Sequence, residues 1–334
     1  MFDVITVGVV TRDIFIKSDD FSVVVSKQSI SEELECLPLG AKIEVNKLLL
    51  STGGGATNAA TTFVRQGLRA ACITKIGGDE IGKELLASLQ KEGIDLSLVR
   101  TQADAQSAES VILINAAGER SILVYRGSAG DIRQDDIDFS LLHTKWISVF
   151  SLAGDLDTLR AIVSFAQQQT IHIAWNPGAR EIAHSVESCK DILSGVSLIV
   201  MNREEAAAFT NEQPENSEKI FSALRHYVKG IIVITDGSQG VTVSDNTTRY
   251  HAGIFAEQKI ADRTGAGDAF GSGFTSAIIA GMSIADAIRL GSANATAVVE
   301  AVGAKTGILT REEFSTNSRW KVLPVITVPV SVTH

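Results

Sequence analysis

Long apolar runs are missing from this 334-residue chain. No stretch approaches the ~20 apolar residues a membrane helix needs, which excludes a helical bilayer span. Cysteine is scarce. Cys36, Cys72 and Cys189 lie far apart and lack metal-ligand spacing, so they read as thiols of a reducing compartment. An excess of positive charge is also absent. The net charge of −9 argues against a general nucleic-acid surface and otherwise serves solubility. Aromatics make up only 6% of the chain, which leaves little stacking surface. There is no internal repeat and no low-complexity segment. Met1-Phe2-Asp3 leads directly into Val4-Ile5-Thr6-Val7-Gly8, with no charged n-region or cleavage site before it. A cytoplasmic protein without membrane or nucleic-acid partners is the expectation.

What is present is ordinary globular material, 45% hydrophobic and 21% charged. The length suits one large α/β domain, alone or with a small appendage. Short β-branched runs at 4–10, 71–76, 146–150, 171–175, 198–201 and 231–235 alternate with amphipathic stretches at 58–66, 82–92, 156–168, 204–209 and 217–228. That alternation predicts a buried parallel sheet with helices on both faces. Two alanine-rich helices, 268–281 and 284–302, follow. Two regions break the pattern. Residues 15–50 carry alternating segments at 21–25 and 42–48, and 110–125 reads as two strands around an Ala116–Glu119 turn. These predict half-exposed antiparallel strands in a separate small sheet, a lid that also suits pairing with a second subunit. The tail 323–330 is strand-like and has no assigned place.

Two glycine turns carry the chemistry. Gly265-Ala266-Gly267-Asp268 opens a helix in which Phe270, Phe274, Ala277 and Ile278 recur at helical spacing. Such a turn aims free N–H groups and the positive end of the helix dipole at an anion, and Asp268 stands beside it as a candidate base. A plain helix cap is the alternative. No Gly-Lys-Ser/Thr follows, so this is not a P-loop, and no βαβ unit follows, so it is not a dinucleotide fingerprint. The second turn, Gly53-Gly54-Gly55, also opens a helix and projects the Asn58 amide.

Together these turns resemble the two signatures of the ribokinase-like PfkB carbohydrate kinases. Gly53, Gly54 and Asn58 match the first. Asp262, Thr264 to Asp268 and Phe270 match the second. Asn176-Pro177-Gly178, Asn202-Arg203-Glu204-Glu205 and Thr235-Asp236-Gly237-Ser238-Gln239-Gly240 fall between them in family order. The resemblance runs from Val4 to about Ile308. It implies a three-layer α/β/α domain with a mainly parallel sheet, in residues 1–14, 51–108 and 127–334. The lid would then comprise residues 15–50 and 109–126.

By resemblance, Asp268 is the base that takes the proton of an acceptor hydroxyl as it attacks the γ-phosphate of ATP. Gly265, Ala266 and Gly267 would form the anion hole. Asn202 and Glu205 would organise Mg²⁺ and phosphate; by residue pattern alone they are a capping box. Thr235, Gly237 and Gly240 would hold nucleotide phosphates and ribose, and Asn294 would contact adenine. Asp13, Gly53, Gly54 and Asn58 would grip the acceptor. Asp262 and Thr264 fit part of a potassium site. Arg126 either reaches an anionic acceptor or is a solvated lid residue. The family pattern is not followed everywhere. The first strand ends in Val9-Val10-Thr11-Arg12-Asp13, no lysine lies between Gly54 and Asn58, and Arg263 replaces a small residue. Ribokinase proper is therefore not expected. A sugar or close relative is the expected acceptor and a homodimer through the lid the expected assembly. A nucleoside, with Tyr125 and Phe15 as its lid contacts, and a non-catalytic sensor are the alternatives.

Overall fold

The computed structural model describes residues 1–25, 33–117, 119–128 and 132–330. A nine-stranded sheet forms the body. From one edge its strands are Ala70–Ile73, Phe2–Val7, Thr144–Val149, His172–Trp175, Leu198–Asn202 and Ile231–Thr235, all parallel. Three antiparallel strands follow: Val241–Ser244, Thr248–Ala252 and Ile326–Pro329. The tail that had no assigned place is thus the far edge strand. The pair Val241–Ala252 is an addition to the sequence reading; its alternating polar residues gave no continuous apolar run.

Successive side chains on a strand point to opposite faces, and both faces of this sheet are covered. Ile5, Ile147, Ile199 and Ile232 pack on one side with the helices Leu156–Gln168 and Ser217–Tyr227. Val4, Val200 and Val233 face the other way. There they meet the helices Gly55–Arg65, Ala266–Ile279 and Ile284–Val299. The result is the three-layer α/β/α arrangement, with both glycine-turn helices on the same side.

A second sheet of four strands stands apart, in the order Arg120–Tyr125, Glu109–Ile114, Thr11–Lys17 and Lys47–Gly53. The chain leaves the main sheet at Gly8, whose φ of 149° suits glycine. Asp13, read from sequence as following the first strand, therefore lies inside a strand of the small sheet. That sheet begins at Thr11 and runs through Gly53, beyond the 15–50 span read from sequence. Residues 42–46 are not a strand; the Asn46 N–H reaches the Lys17 carbonyl at 2.8 Å, but no ladder extends before Lys47, where the strand starts. Ser22–Val25 pairs only with Glu33–Cys36, as a separate ribbon. Gly118, within the expected turn, and residues 26–32, within the expected lid insertion, lie outside the described residues. No helix among the described residues is long and apolar enough to cross a membrane.

Candidate active site

Gly265 caps the helix Ala266–Ile279 at φ 80° with no side-chain cap. A Cβ there would fall 2.5 Å from the Ala304 side chain, so glycine is required by conformation and by space. The Ala266 N–H reaches the Arg263 carbonyl at 3.4 Å. The N–H groups of Gly267 and Asp268 have no acceptor among the described residues. A 14-residue helix thus presents unpaired donors at its positive end, an arrangement that attracts anions.

Asp268 sits in the first turn of that helix. Its Oδ2 accepts a hydrogen bond from Asn58 Nδ2 at 2.9 Å. Burial pushes its carboxyl above the usual carboxylate range, while Asn58 and the positive charge of Lys305 work against that rise. Asn58 is itself buried, and its Oδ1 has no partner. A buried, unsatisfied acceptor beside the carboxylate suits an incoming hydroxyl donor.

Asp13 reaches the same site from the small sheet. It is buried, and its Oδ1 accepts from Thr11 Oγ1 at 2.8 Å. Burial raises its carboxyl; Thr11, Lys305 and Ser110 lower it, and Asp268 raises it further. Gly53 ends the adjoining strand, where a Cβ would stand 1.9 Å from Asp13 Oδ2. Gly54 caps the next helix at φ 95°. Asp13, Gly53, Gly54 and Asn58 are therefore brought together around Asp268.

Behind the anion hole lies a cleft of about 130 Å³ lined by Thr235, Gly237, Gly240, Ala266, Gly267 and Thr296, among others. Asn294 is not among its lining residues. It is fully buried; its Nδ2 donates to the Ala269 carbonyl and Thr62 Oγ1, and its Oδ1 accepts from the Leu309 N–H. In this structure the amide expected to contact adenine braces three segments instead, with both its hydrogens and one acceptor site of its oxygen taken by protein groups. Periodicity located the helix but not the direction of this side chain.

Asn202 and Glu205 form the capping box, with Asn202 Oδ1 accepting from the Glu205 N–H at 2.7 Å and Glu205 Oε2 accepting from the Asn202 N–H at 2.8 Å. Burial raises the Glu205 carboxyl, and repulsion from Asp268 adds to it. Two carboxylates that repel across a site suit a divalent cation. Among the described residues no three His, Cys, Asp or Glu gather as a metal cluster. Asp262 is taken up by the N–H groups of Thr264 and Gly303, whereas Thr264 Oγ1 is buried without a partner. Arg126 is exposed and makes no hydrogen bond or ion pair among the described residues. Sequence reasoning missed Lys305. Its only sequence signal is a lysine within the small and apolar run Val302–Leu309, and lysine is read as surface by default.

The family model for pfkB family carbohydrate kinases matches residues 23–311. The chain belongs to the PfkB family of carbohydrate kinases. Ribokinase from Haemophilus influenzae is 30% identical over 279 residues, covering 79% of this chain and 86% of that protein. Ribokinase of Arabidopsis thaliana, solved with ribose and ATP, superposes with a TM-score of 0.78 at 19% identity, covering 96% of this chain and 99% of that one. The Methanocaldococcus jannaschii nucleoside kinase has the same TM-score at 20% identity, covering 96% and 98%. At these identities the two structures speak for the fold alone. As a PfkB carbohydrate kinase, the protein is a phosphotransferase with an alcohol group as acceptor, a class on which the family match and the similarity to a ribokinase agree.

Proposed function

We propose that the protein transfers the γ-phosphate of ATP to a hydroxymethyl group of a sugar or close relative, with Asp268 as the base. The observation that carries this reading is the convergence on one point of a carboxylate, its Asn58 donor and the unpaired N–H groups of a helix start. The acceptor hydroxyl gives its proton to Asp268 while its oxygen bonds to phosphorus and the bond to the departing ADP oxygen breaks. The Gly265–Gly267 turn steadies the charge on the phosphoryl oxygens. Asp13 accepts further hydroxyl hydrogens of the acceptor, and Asn58 Oδ1 is free to accept another. Thr235, Gly237 and Gly240 flank the nucleotide phosphates and ribose.

Mg²⁺ would be held through Glu205 and Asn202, with water between, and supplies charge neutralisation on the phosphates. K⁺ fits Thr264, whose hydroxyl is free, better than Asp262, whose carboxylate is already bonded. A sugar is preferred over a nucleoside because Phe15 is buried and Tyr125 donates to Gln106 Oε1. Phe15 has no open face, and Tyr125, although half exposed, lies by strand register on the face of the small sheet opposite Asp13. Arg126, exposed and without an ion-pair partner among the described residues, leaves room for an anionic acceptor. The outer face of the small sheet exposes Leu48, Leu50, Leu123 and Tyr125, which suits a second copy of the chain.

ADP release measured across sugars, sugar acids, sugar phosphates and nucleosides tests the reading. Asp268→Asn should lower turnover by ~10²–10⁴ while ATP binding persists. Full turnover in that variant removes the base assignment, and no turnover of the wild type with any acceptor favours a sensor.

A further inference from the structure

Among the described residues Lys305 is the one strongly buried ammonium near the site, only 6% exposed. Among the described residues no carboxylate lies within ion-pair distance of it. Its Nζ instead donates to Thr52 Oγ1 at 2.7 Å and Thr57 Oγ1 at 3.0 Å. Thr57 Oγ1 in turn donates to the Gly53 carbonyl at 2.7 Å. The ammonium is therefore tied through one hydroxyl to the turn that abuts Asp13. An isolated buried charge is costly, and a fold keeps one only when something nearby requires it. The nearby anionic groups are Asp13 on the small sheet and Asp268 on the catalytic helix, and Lys305 favours the charged form of both. Glu92 and the Cys72 thiol also favour the ammonium, and Arg65 opposes it.

Resting on the kinase reading, we propose that Lys305 is a positioning residue of the acceptor site: its fixed positive charge offsets Asp13 and Asp268 and holds the Gly53–Gly54 turn beside them. It touches neither reacting atom. Without it, two buried carboxylates remain in one poorly solvated site, with Asn58 beside Asp268 and Thr11 and Ser110 beside Asp13 as side-chain donors. One would hold its proton at neutral pH and cease to act as base or as acceptor grip. Burial lowers the Lys305 ammonium itself to about 8, so its charge is lost within an accessible pH range.

Lys305→Met keeps the stem without the charge, and Lys305→Gln keeps hydrogen bonding without the charge. In both variants kcat/KM for the acceptor should fall about tenfold or more, with the acid limb of its pH profile moved upward by about one unit or more. The KM for ATP should stay unchanged, and the wild-type loss of rate near pH 8 should vanish. A uniform rate loss with an unmoved acid limb would overturn the proposal, as would recovery of wild-type rates by the Gln variant. A second readout does not need turnover. The carboxyl ¹³C titration of Asp13, assigned with Asp13→Asn, should show a higher midpoint in either variant, and an unchanged midpoint refutes the electrostatic role. A wild type inactive on every acceptor fails the kinase reading alone, since the titration still decides for Lys305.

Discussion

Replacing Lys305 with methionine should make the protein more stable at neutral pH. The folded-state pKa of Lys305 is depressed from 10.5 to about 8, so the unfolded chain holds this proton more tightly than the fold does. At neutral pH the buried ammonium therefore opposes folding. The difference of about 2.5 units (10.5 − 8) corresponds to an upper bound of about 3 kcal/mol. Methionine fills the stem volume but forfeits two hydrogen bonds, each worth about 0.5–1.5 kcal/mol net. A net gain between about zero and 2 kcal/mol remains, which for a chain of this length raises Tm by at most about 3 °C. The sign extends to pH dependence. In the wild type the contribution of Lys305 to stability rises as pH increases from about 8 to 10.5, because only the unfolded state still binds the proton. The variant should lack that rise. Urea denaturation near neutral pH and again at alkaline pH, for both proteins, measures each part. A variant that is less stable than wild type at neutral pH, with the same pH slope, would refute the reasoning. Lys305 would then be a stabilising core residue.

Three further outcomes are expected. The acid limb of wild-type activity should lie above the ordinary aspartate range, because burial raises both Asp268 and Asp13; a profile flat down to that range contradicts the reading. Gly53→Ala should raise the acceptor KM and leave ATP affinity untouched, since the new methyl occupies space now held by the Asp13 carboxylate; equal effects on both substrates would point to misfolding of the turn. Leu123→Lys on the outer face should convert a dimer into monomers in sedimentation equilibrium, and a wild type already monomeric at micromolar concentration removes the proposed interface.

The parallel sheet was legible because its strands, buried on both faces, are continuous β-branched runs with helical spacing between them. Strands of the small sheet were harder. One face of them meets the site and the other solvent, so neither the Thr11 start nor the loop at 42–46 showed in the alternation. The hairpin Val241–Ala252 escaped because Thr242, Ser244, Thr248, Arg249 and His251 interrupt its apolar residues, although it lies inside the sheet. In the site, glycines and acidic residues announced themselves through conformational need and short-range spacing. Asn58 meets Asp268 across 210 positions of chain, a contact that only the two-turn resemblance hinted at. Asn294 and Lys305 reversed expectation because sequence places a residue on an element but does not tell whether a polar end reaches a ligand or a buried partner.

The placement of Asp13 inside the small sheet, rather than on the main domain, has one last consequence. On the proposed reading, the group that grips the acceptor lies on the small sheet and the group that takes its proton lies on a helix packed against the main sheet. An acceptor must therefore be long enough to touch both at once, and it acts as its own gauge. A water molecule at the phosphoryl group can satisfy Asp268 but not Asp13.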